Sequence, residues 1–370
     1  MPIKTVYSAT IESVSILDEE GNFDGKLGKN LIPLEDAVKL YEHMVFCREL
    51  DMVAFKLQRS GRMGTYPQTW GQEATSTGAA YVLEDKDWFV TSYRENPGLF
   101  WRGLKPEYIL LHWMGDERGN RIPDDLRMTP ISIPIGTQML HAAGLAWAGK
   151  YRREGSVAVT FFGDGGSSEG DCHEALNFAT TLKLPVVFFC QNNGWAISTP
   201  RDRNAGGETI AQRGLAYGAH CVQVDGNDIF AVVKVMRDAV KRARENNEVT
   251  FIEGVTYRMG DHTTADDARR YRDPEELEVW QKRDPLIRLR IYLEKQKAWD
   301  AAKQEALDTR VHAEVMDVVH RAENIEEPEK TDIFDYVYAE LPPALATQRE
   351  TGATHYLAHD RTHIAAPQAV

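Results

Sequence analysis

The sequence predicts an α/β protein: a parallel β-sheet with helices on both faces, an N-terminal arm and a C-terminal helical extension. Three observations predict it. Apolar runs of strand length stand at 157–162 and 185–190. Helix-like segments alternate with such runs, and strand–helix–strand repeats give parallel sheets covered on both faces. After Arg258 the strand-like runs cease, and helical segments continue to about residue 325.

The elements follow in order. Residues 1–33 read as an extended arm closed by the turn-like "DEEGNFDG". From Leu34 to Ser60 apolar residues recur at helical spacing (Val38, Tyr41, Val45), and Gly61 is a natural stop. "GQEATSTGAAYVL" is a second, Ala-rich helix, and "DWFVTSYREN" a short strand ending on Tyr93 and Arg94. Segment 115–136, rich in Gly, Pro, Asp and Arg, is a long ordered loop of the kind that often carries function. A helix from "GTQMLHAAGLAWAGKYRREG" precedes strand 157–162, helix 171–182, strand 185–190, a loop to about 208 and helix 209–218. "CVQVDG" and "TFIEGVTYR" are strands flanking helix 229–245. The domain expectation is an arm over 1–33, one main domain over 34–345, and a frayed or partner-bound tail over 346–370.

Composition narrows the function classes. At 42% hydrophobic and 27% charged residues the chain is an ordinary globular protein. A net charge of −13 argues against nucleic acid, whose phosphates need clustered Lys and Arg, and against an anionic membrane surface. Cys47, Cys172, Cys190 and Cys221 form no C-x-x-C pair and read as buried small hydrophobes in a reducing compartment. No apolar run reaches the ~20 residues that span a bilayer. The N-terminus has neither an h-region nor an Arg-rich character, so a cytoplasmic protein is expected.

The chemistry concentrates in "VTFFGDGGSSEGDCHEALNFATTLKLPVVFFCQNNGWAIS". One apolar run stops at Gly163-Asp164-Gly165, the next at Asn192-Asn193, and residues 166 to 191 between them suit one loop, helix and strand. Either group alone is an ordinary turn. Together they place a carboxylate and an amide oxygen beyond the carboxyl ends of two neighbouring parallel strands, where such sheets bind ligands. A carboxylate, an amide oxygen and a nearby carbonyl make half of a Mg²⁺ shell, with water and phosphate completing it. Neither G-x-x-x-x-G-K-[ST] nor G-x-G-x-x-G occurs at this turn, which disfavours a P-loop NTPase and a nicotinamide site. The reading is a magnesium–diphosphate site.

G-D-G followed by N-N resembles the thiamine diphosphate motif. "GDGGSSEGDCHEALNFA", "NNGWAISTP", "VDGNDIFAV" and "DHTTADDARRYR" resemble the alpha subunit of the E1 component of 2-oxo acid dehydrogenase complexes, over about 34 to 345. The resemblance implies a thiamine diphosphate-binding fold and assigns roles by position. Asp164, the Asn193 side chain and the main-chain oxygen of Trp195 match the Mg²⁺ ligands; Tyr93, Arg94, Arg258 and the Gly165-Gly166 backbone match the groups that hold the diphosphate. Ile197 matches an apolar wedge that bends the cofactor, the main chain around Ile133 and Ile135 meets the aminopyrimidine, and His262 is the active-site loop histidine. Ser132, Pro134, Thr137 and Gln138 resemble a K⁺ site of branched-chain members. Arginines, a divalent ion and an apolar wedge suit a buried, bent diphosphate ester.

The same resemblance implies oxidative decarboxylation of a 2-oxo acid, with the acyl group passed to the lipoyl group of E2; His262, expected to titrate near neutrality, is the natural proton donor or orienting group for that transfer. The Glu that activates the cofactor belongs to a separate E1 beta subunit in an α2β2 heterotetramer. Glu73 and Glu95 lie nearby, but no motif marks either as that base. Loop 258–272 is expected to be mobile and to order over the cofactor, because it is charged and poor in apolar residues. Thr263 stands where eukaryotic relatives carry a phosphorylated serine. "GNRIPDDLRMTPISIPIGTQ" and Gln191 resemble pyruvate members, whereas "SSEGDCHEALNFA", "NNGWAISTP" and the cation set resemble branched-chain members. Pyruvate is the expected substrate, with a branched-chain 2-oxo acid, or acetoin, as the alternative.

Overall fold

A computed structural model describes residues 3–326 and 328–359. Its frame is a six-stranded, all-parallel sheet. The strands are β1 (Glu12–Val14), β2 (Trp88–Val90), β3 (Ala158–Gly163), β4 (Val186–Asn192), β7 (His220–Asp225) and β8 (Thr250–Val255), in spatial order β1-β7-β8-β4-β3-β2. Two-residue strands β5 (Trp195–Ala196) and β6 (Thr199–Pro200) form a separate antiparallel hairpin directly after β4.

Central strands β3 and β4 have no polar face. Val159, Phe161, Val187 and Phe189 enter one core with helices α1 (Leu34–Arg59), α2 (Glu73–Val82) and α9 (Ile229–Asn246). Ala158, Phe162, Val186 and Phe188 enter a second core with α5 (Thr137–Arg152) and α6 (Gly170–Thr181). Alternate side chains of one strand thus reach opposite helical layers, which is why these strands read as unbroken apolar runs. In α1, residues Leu40, Met44, Cys47, Leu50, Ala54 and Leu57 are buried at helical spacing, and Gly61 ends the helix region at φ 72°. All four cysteines are buried free thiols.

Shorter helices link this frame: α3 (Asn96–Trp101) and α4 (Pro106–Met114) after β2, then α7 (Arg201–Asn204) and α8 (Gln212–Leu215) before β7. After β8 come α10 (Pro274–Gln281), α11 (Pro285–Lys295) and α12 (Ala301–Glu323). Among the described residues no helix is long and apolar enough to cross a membrane. The chain divides into two compact units, Met1–Ala322 and Glu323–Val370. In the second, α13 (Asp332–Asp335) and α14 (Pro343–His359) are joined by an ion pair of Arg349 with Asp335.

Several sequence expectations need correcting. The arm supplies an edge strand: β1 pairs with β7, and Asp228, the N-cap of α9, accepts the amides of Ile16 and Leu17 at 2.5 and 2.7 Å as well as those of Phe230 and Ala231. The β2 strand is shorter than expected, and Tyr93 and Arg94 lie beyond it. Segment 115–136 covers its outer edge, where the Phe89 amide donates to Arg127 O (2.9 Å) and Thr129 donates to Phe89 O (3.2 Å). Helix 209–218 shrinks to the single turn of α8. Residues 346–359 continue α14 across the expected start of the tail at 346, while 360–370 lie outside the described residues.

Asp228 therefore serves two elements at once. Replacing it with Ala removes a helix cap and leaves two buried arm amides unpaired. Asp228→Ala should lower unfolding stability by about 2–4 kcal/mol in denaturant melts and expose the first 30 or so residues to limited proteolysis. An unchanged melt with an intact arm would contradict this account.

Candidate active site

At the carboxyl ends of β3 and β4 the chain encloses a cavity of about 300 Å³. Register explains the meeting: Gly163 pairs with Gln191, so Asp164 leaves β3 beside the Asn192-Asn193 end of β4. Tyr93, Arg94, Ile135, Gln138, Asp164, Gly165, Gly166, Asn193, Trp195, Ile197, Arg258 and His262 all line it. Of the remaining sequence candidates, Ile133 is half-exposed and does not face the cavity, and neither do Ser132, Pro134 and Thr137. Only Gln138 of the expected K⁺ set reaches it; its Nε2 donates to Phe161 O (2.9 Å), while its Oε1 has no partner.

Asp164 is 1% exposed, and its Oδ2 has no hydrogen-bond partner. Burial pushes its carboxyl up to about 6, against the pull of backbone amides and of Arg258 and Arg201. Asn193 is turned by Gln72, whose Oε1 accepts the Asn193 Nδ2 at 3.0 Å. The Asn193 Oδ1 accepts only a long bond from the Trp195 amide, 3.3 Å. Among the described residues no cluster of three His, Cys, Asp or Glu could hold a metal. One carboxylate with neutral oxygens fits a hard divalent ion that brings phosphate and water as its other ligands.

Gly165 is required for packing, since a Cβ there would stand 2.8 Å from the Cβ of Ala196 in β5. Ile197 turns the β5–β6 hairpin at φ 56°. That left-handed conformation is rare for a β-branched residue, and a strained residue held at a cavity wall is a mark of function. The Ile197 side chain nevertheless lines the cavity while remaining 58% exposed.

Two guanidinium groups also line the cavity. Arg94 donates to Gln68 O (2.5 Å) and to His262 O (2.8 Å). Arg258 donates to Trp195 O (3.2 Å) and Ile197 O (2.7 Å). Burial, and then repulsion by Arg94, lowers Arg258 to about 10. Two buried cations that repel each other form a receptor for an anion. His262 lies between them, with Nδ1 at 3.2 Å from Arg258 Nη1 and 3.5 Å from Arg94 Nη2. Burial and both guanidiniums depress it to about 3. His262 is thus neutral across the physiological range, and the near-neutral titration expected from sequence is corrected. Facing two donors, Nδ1 must accept, so the proton sits on Nε2.

Loop 258–272, expected to be mobile, carries a network of internal hydrogen bonds in this structure. Arg272 donates to the carbonyls of Arg258, Met259 and Gly260. Asp266 accepts the His262 amide and the Tyr271 hydroxyl, and Asp261 accepts the amide of Ala268. Polar side chains bonded to backbone supplement the apolar packing of Met259 and Tyr271 against Trp195 and Tyr257. Glu73 is held by Arg48 and by the Gly71 amide. Glu95 accepts Thr91, Ser92, Arg94 N and the Gln191 Nε2. Each oxygen of both carboxylates already has a hydrogen-bond partner.

Sequence reasoning missed Gln72, which orients Asn193, and Asn204, whose Nδ2 donates to Asp164 O at 3.0 Å. Neither belongs to a motif. Only the folding of α2 and α7 against the strand tips reveals them.

The comparisons agree with this geometry. Residues 41–331 match the family described as "Dehydrogenase E1 component". The chain is 40% identical over 343 residues to "Pyruvate dehydrogenase E1 component subunit alpha" of Staphylococcus aureus (strain Mu50 / ATCC 700699), covering 92% of each chain. It is 42% identical over 354 residues to "3-methyl-2-oxobutanoate dehydrogenase subunit alpha" of Mycobacterium tuberculosis (strain CDC 1551 / Oshkosh), covering 94% of this chain and 95% of that one. The chain belongs to the dehydrogenase E1 component family, as an E1 alpha subunit of a 2-oxo acid dehydrogenase, and the family implies thiamine diphosphate.

Two outcomes are expected. The Asp164 carboxyl is raised from 3.8 to about 6, so the ligand-free fold loses about 3 kcal/mol as pH rises through that window. Asp164→Asn should therefore melt higher than the native chain at pH 8, and the gain should vanish below about pH 4; an equal gain at both pH values would refute the assignment. Ile197→Asn suits the left-handed turn and should stabilise the ligand-free chain by ~1 kcal/mol. The same variant should bind thiamine diphosphate about tenfold more weakly, read by fluorescence titration.

Proposed function

We propose that this E1 alpha subunit acts on pyruvate, supporting its oxidative decarboxylation and the acetylation of the lipoyl group of E2. The observation that carries the cofactor site in this reading is the Asp164 carboxylate, its Oδ2 without a hydrogen-bond partner, set in one cavity with Arg94 and Arg258. Asp164, Asn193 Oδ1 and Trp195 O would hold Mg²⁺. Tyr93, Arg94, Arg258 and the Gly165-Gly166 backbone would hold the diphosphate. A metal taking Trp195 O frees the Arg258 guanidinium, now bonded there at 3.2 Å, for phosphate oxygens. Thiamine diphosphate supplies the electron sink that decarboxylation needs. Ile197 supplies an apolar contact that bends the ligand without competing for hydrogen bonds. With Nδ1 facing both guanidiniums in the ligand-free chain, His262 would present its Nε2–H as a donor toward the cavity.

The activating carboxylate comes from a second chain, an E1 beta subunit in an α2β2 assembly, in this reading. Saturation of Glu73 and Glu95 supports it. So does the exposed apolar surface running from Ile135 at the cavity rim along α5 and α6: Leu140, Trp147, Tyr151 and Phe178. Such a stripe marks an interface in a soluble chain.

Gln191 and the stretch 119–138 favour pyruvate. A second reading, a branched-chain 2-oxo acid, is favoured by the 42% identical relative named for 3-methyl-2-oxobutanoate. The test is turnover with a lipoyl acceptor, by this chain alone and with its beta partner. The chain alone should be inactive, and robust turnover there would overturn the shared site. For the pair, kcat/KM for pyruvate should exceed that for 3-methyl-2-oxobutanoate by about tenfold or more. The reverse order would establish the second reading.

A further inference from the structure

One anchor of the segment carrying His262 is the hydroxyl of Thr264. Thr264 is completely buried, at 0% exposure. Its Oγ1 accepts the amide of Tyr66 at 3.0 Å, and its own amide donates to Tyr66 O at 2.9 Å. The side-chain oxygen thus takes the place of the second carbonyl in a strand-like pairing. Tyr66 is itself immobile: its phenol donates to Asp51 Oδ1 (2.8 Å) and accepts the Nδ2 of Asn96 (3.0 Å). Asp51 also accepts the amide and the hydroxyl of Thr69, so the whole support is internally bonded.

His262 lies two residues from this fixed point, and the Arg94 guanidinium grips its carbonyl from the other side at 2.8 Å. Met259 and Tyr271 pack the flanks of the loop against Trp195 and Tyr257, and between those flanks these polar anchors set its register. Losing the Thr264 oxygen would leave the buried Tyr66 amide with no acceptor, a costly state that the loop relieves by moving away.

We propose that Thr264 is a positioning residue: its acceptor oxygen, fixed on Tyr66, sets the height of the loop over the cavity and the direction of the His262 imidazole. The inference rests on the reading of His262 under Proposed function.

Four forms of the chain test it, each assembled with the beta subunit: native, Thr264→Val, Thr264→Ser and His262→Ala. Thr264→Val keeps the shape and removes the acceptor. It should lower kcat for lipoyl acylation by about tenfold or more, with KM for the 2-oxo acid changed less than about twofold. Thr264→Ser restores the oxygen and should recover kcat to within about twofold. Amide hydrogen exchange over residues 260–268 should quicken about tenfold in the Val form and remain native-like in the Ser form. Should Val fail to fold, Thr264→Ala removes the same oxygen and is read the same way.

An unchanged kcat in the Val form, a Ser form as impaired as Val, or unaltered exchange would each overturn the proposal. Full activity of His262→Ala would instead sink the role given to the histidine. The exchange comparison needs no turnover, so the anchor is decided separately.

Discussion

A buried carboxylate with one unpaired oxygen organises this molecule. Asp164 sits at the tip of a strand covered on both faces, so its charge has nowhere to go but the cavity. Removing a carboxylate from water without pairing it is among the most expensive things a fold can do. The chain tolerates that cost because the rest of the site is its complement. Asn193 is turned by Gln72 to offer a weakly used oxygen, and two guanidiniums line the same cavity. Each group is unsatisfactory alone, and together they suit the proposed pairing of a divalent cation with a diphosphate.

The frame was largely readable from residue order. Central strands buried on both faces have to be unbroken apolar runs, and β3 and β4 are. The spacing of Asp164 and Asn193 could be read as one crossover because parallel strands demand it. Resemblance extended the reading to Arg94, Arg258 and Ile197, which no periodicity would have singled out. What stayed hidden depends on contacts across long separations. The pairing of β1 with β7 involves three residues in an arm with no strand signature. Gln72 acquires meaning only opposite Asn193, 121 residues later.

Loop 258–272 and its histidine show the same limit in electrostatic form. From composition, a charged segment looks unfastened, because apolar content is the usual fastening. Here arginine and aspartate side chains bond to backbone groups within the loop instead. The protonation of His262 is likewise set by neighbours from other elements. An isolated imidazole titrates near 6.5, but between two guanidiniums it remains uncharged far into acid.

The edge strand contributed by the N-terminal arm carries a consequence for biosynthesis. Its hydrogen-bonding partner, β7, and its latch, Asp228, lie more than 200 residues downstream. Pairing of this edge strand must therefore wait until β7 and Asp228 have been translated. A contact of such long sequence separation forms late, after the local strand–helix units around it.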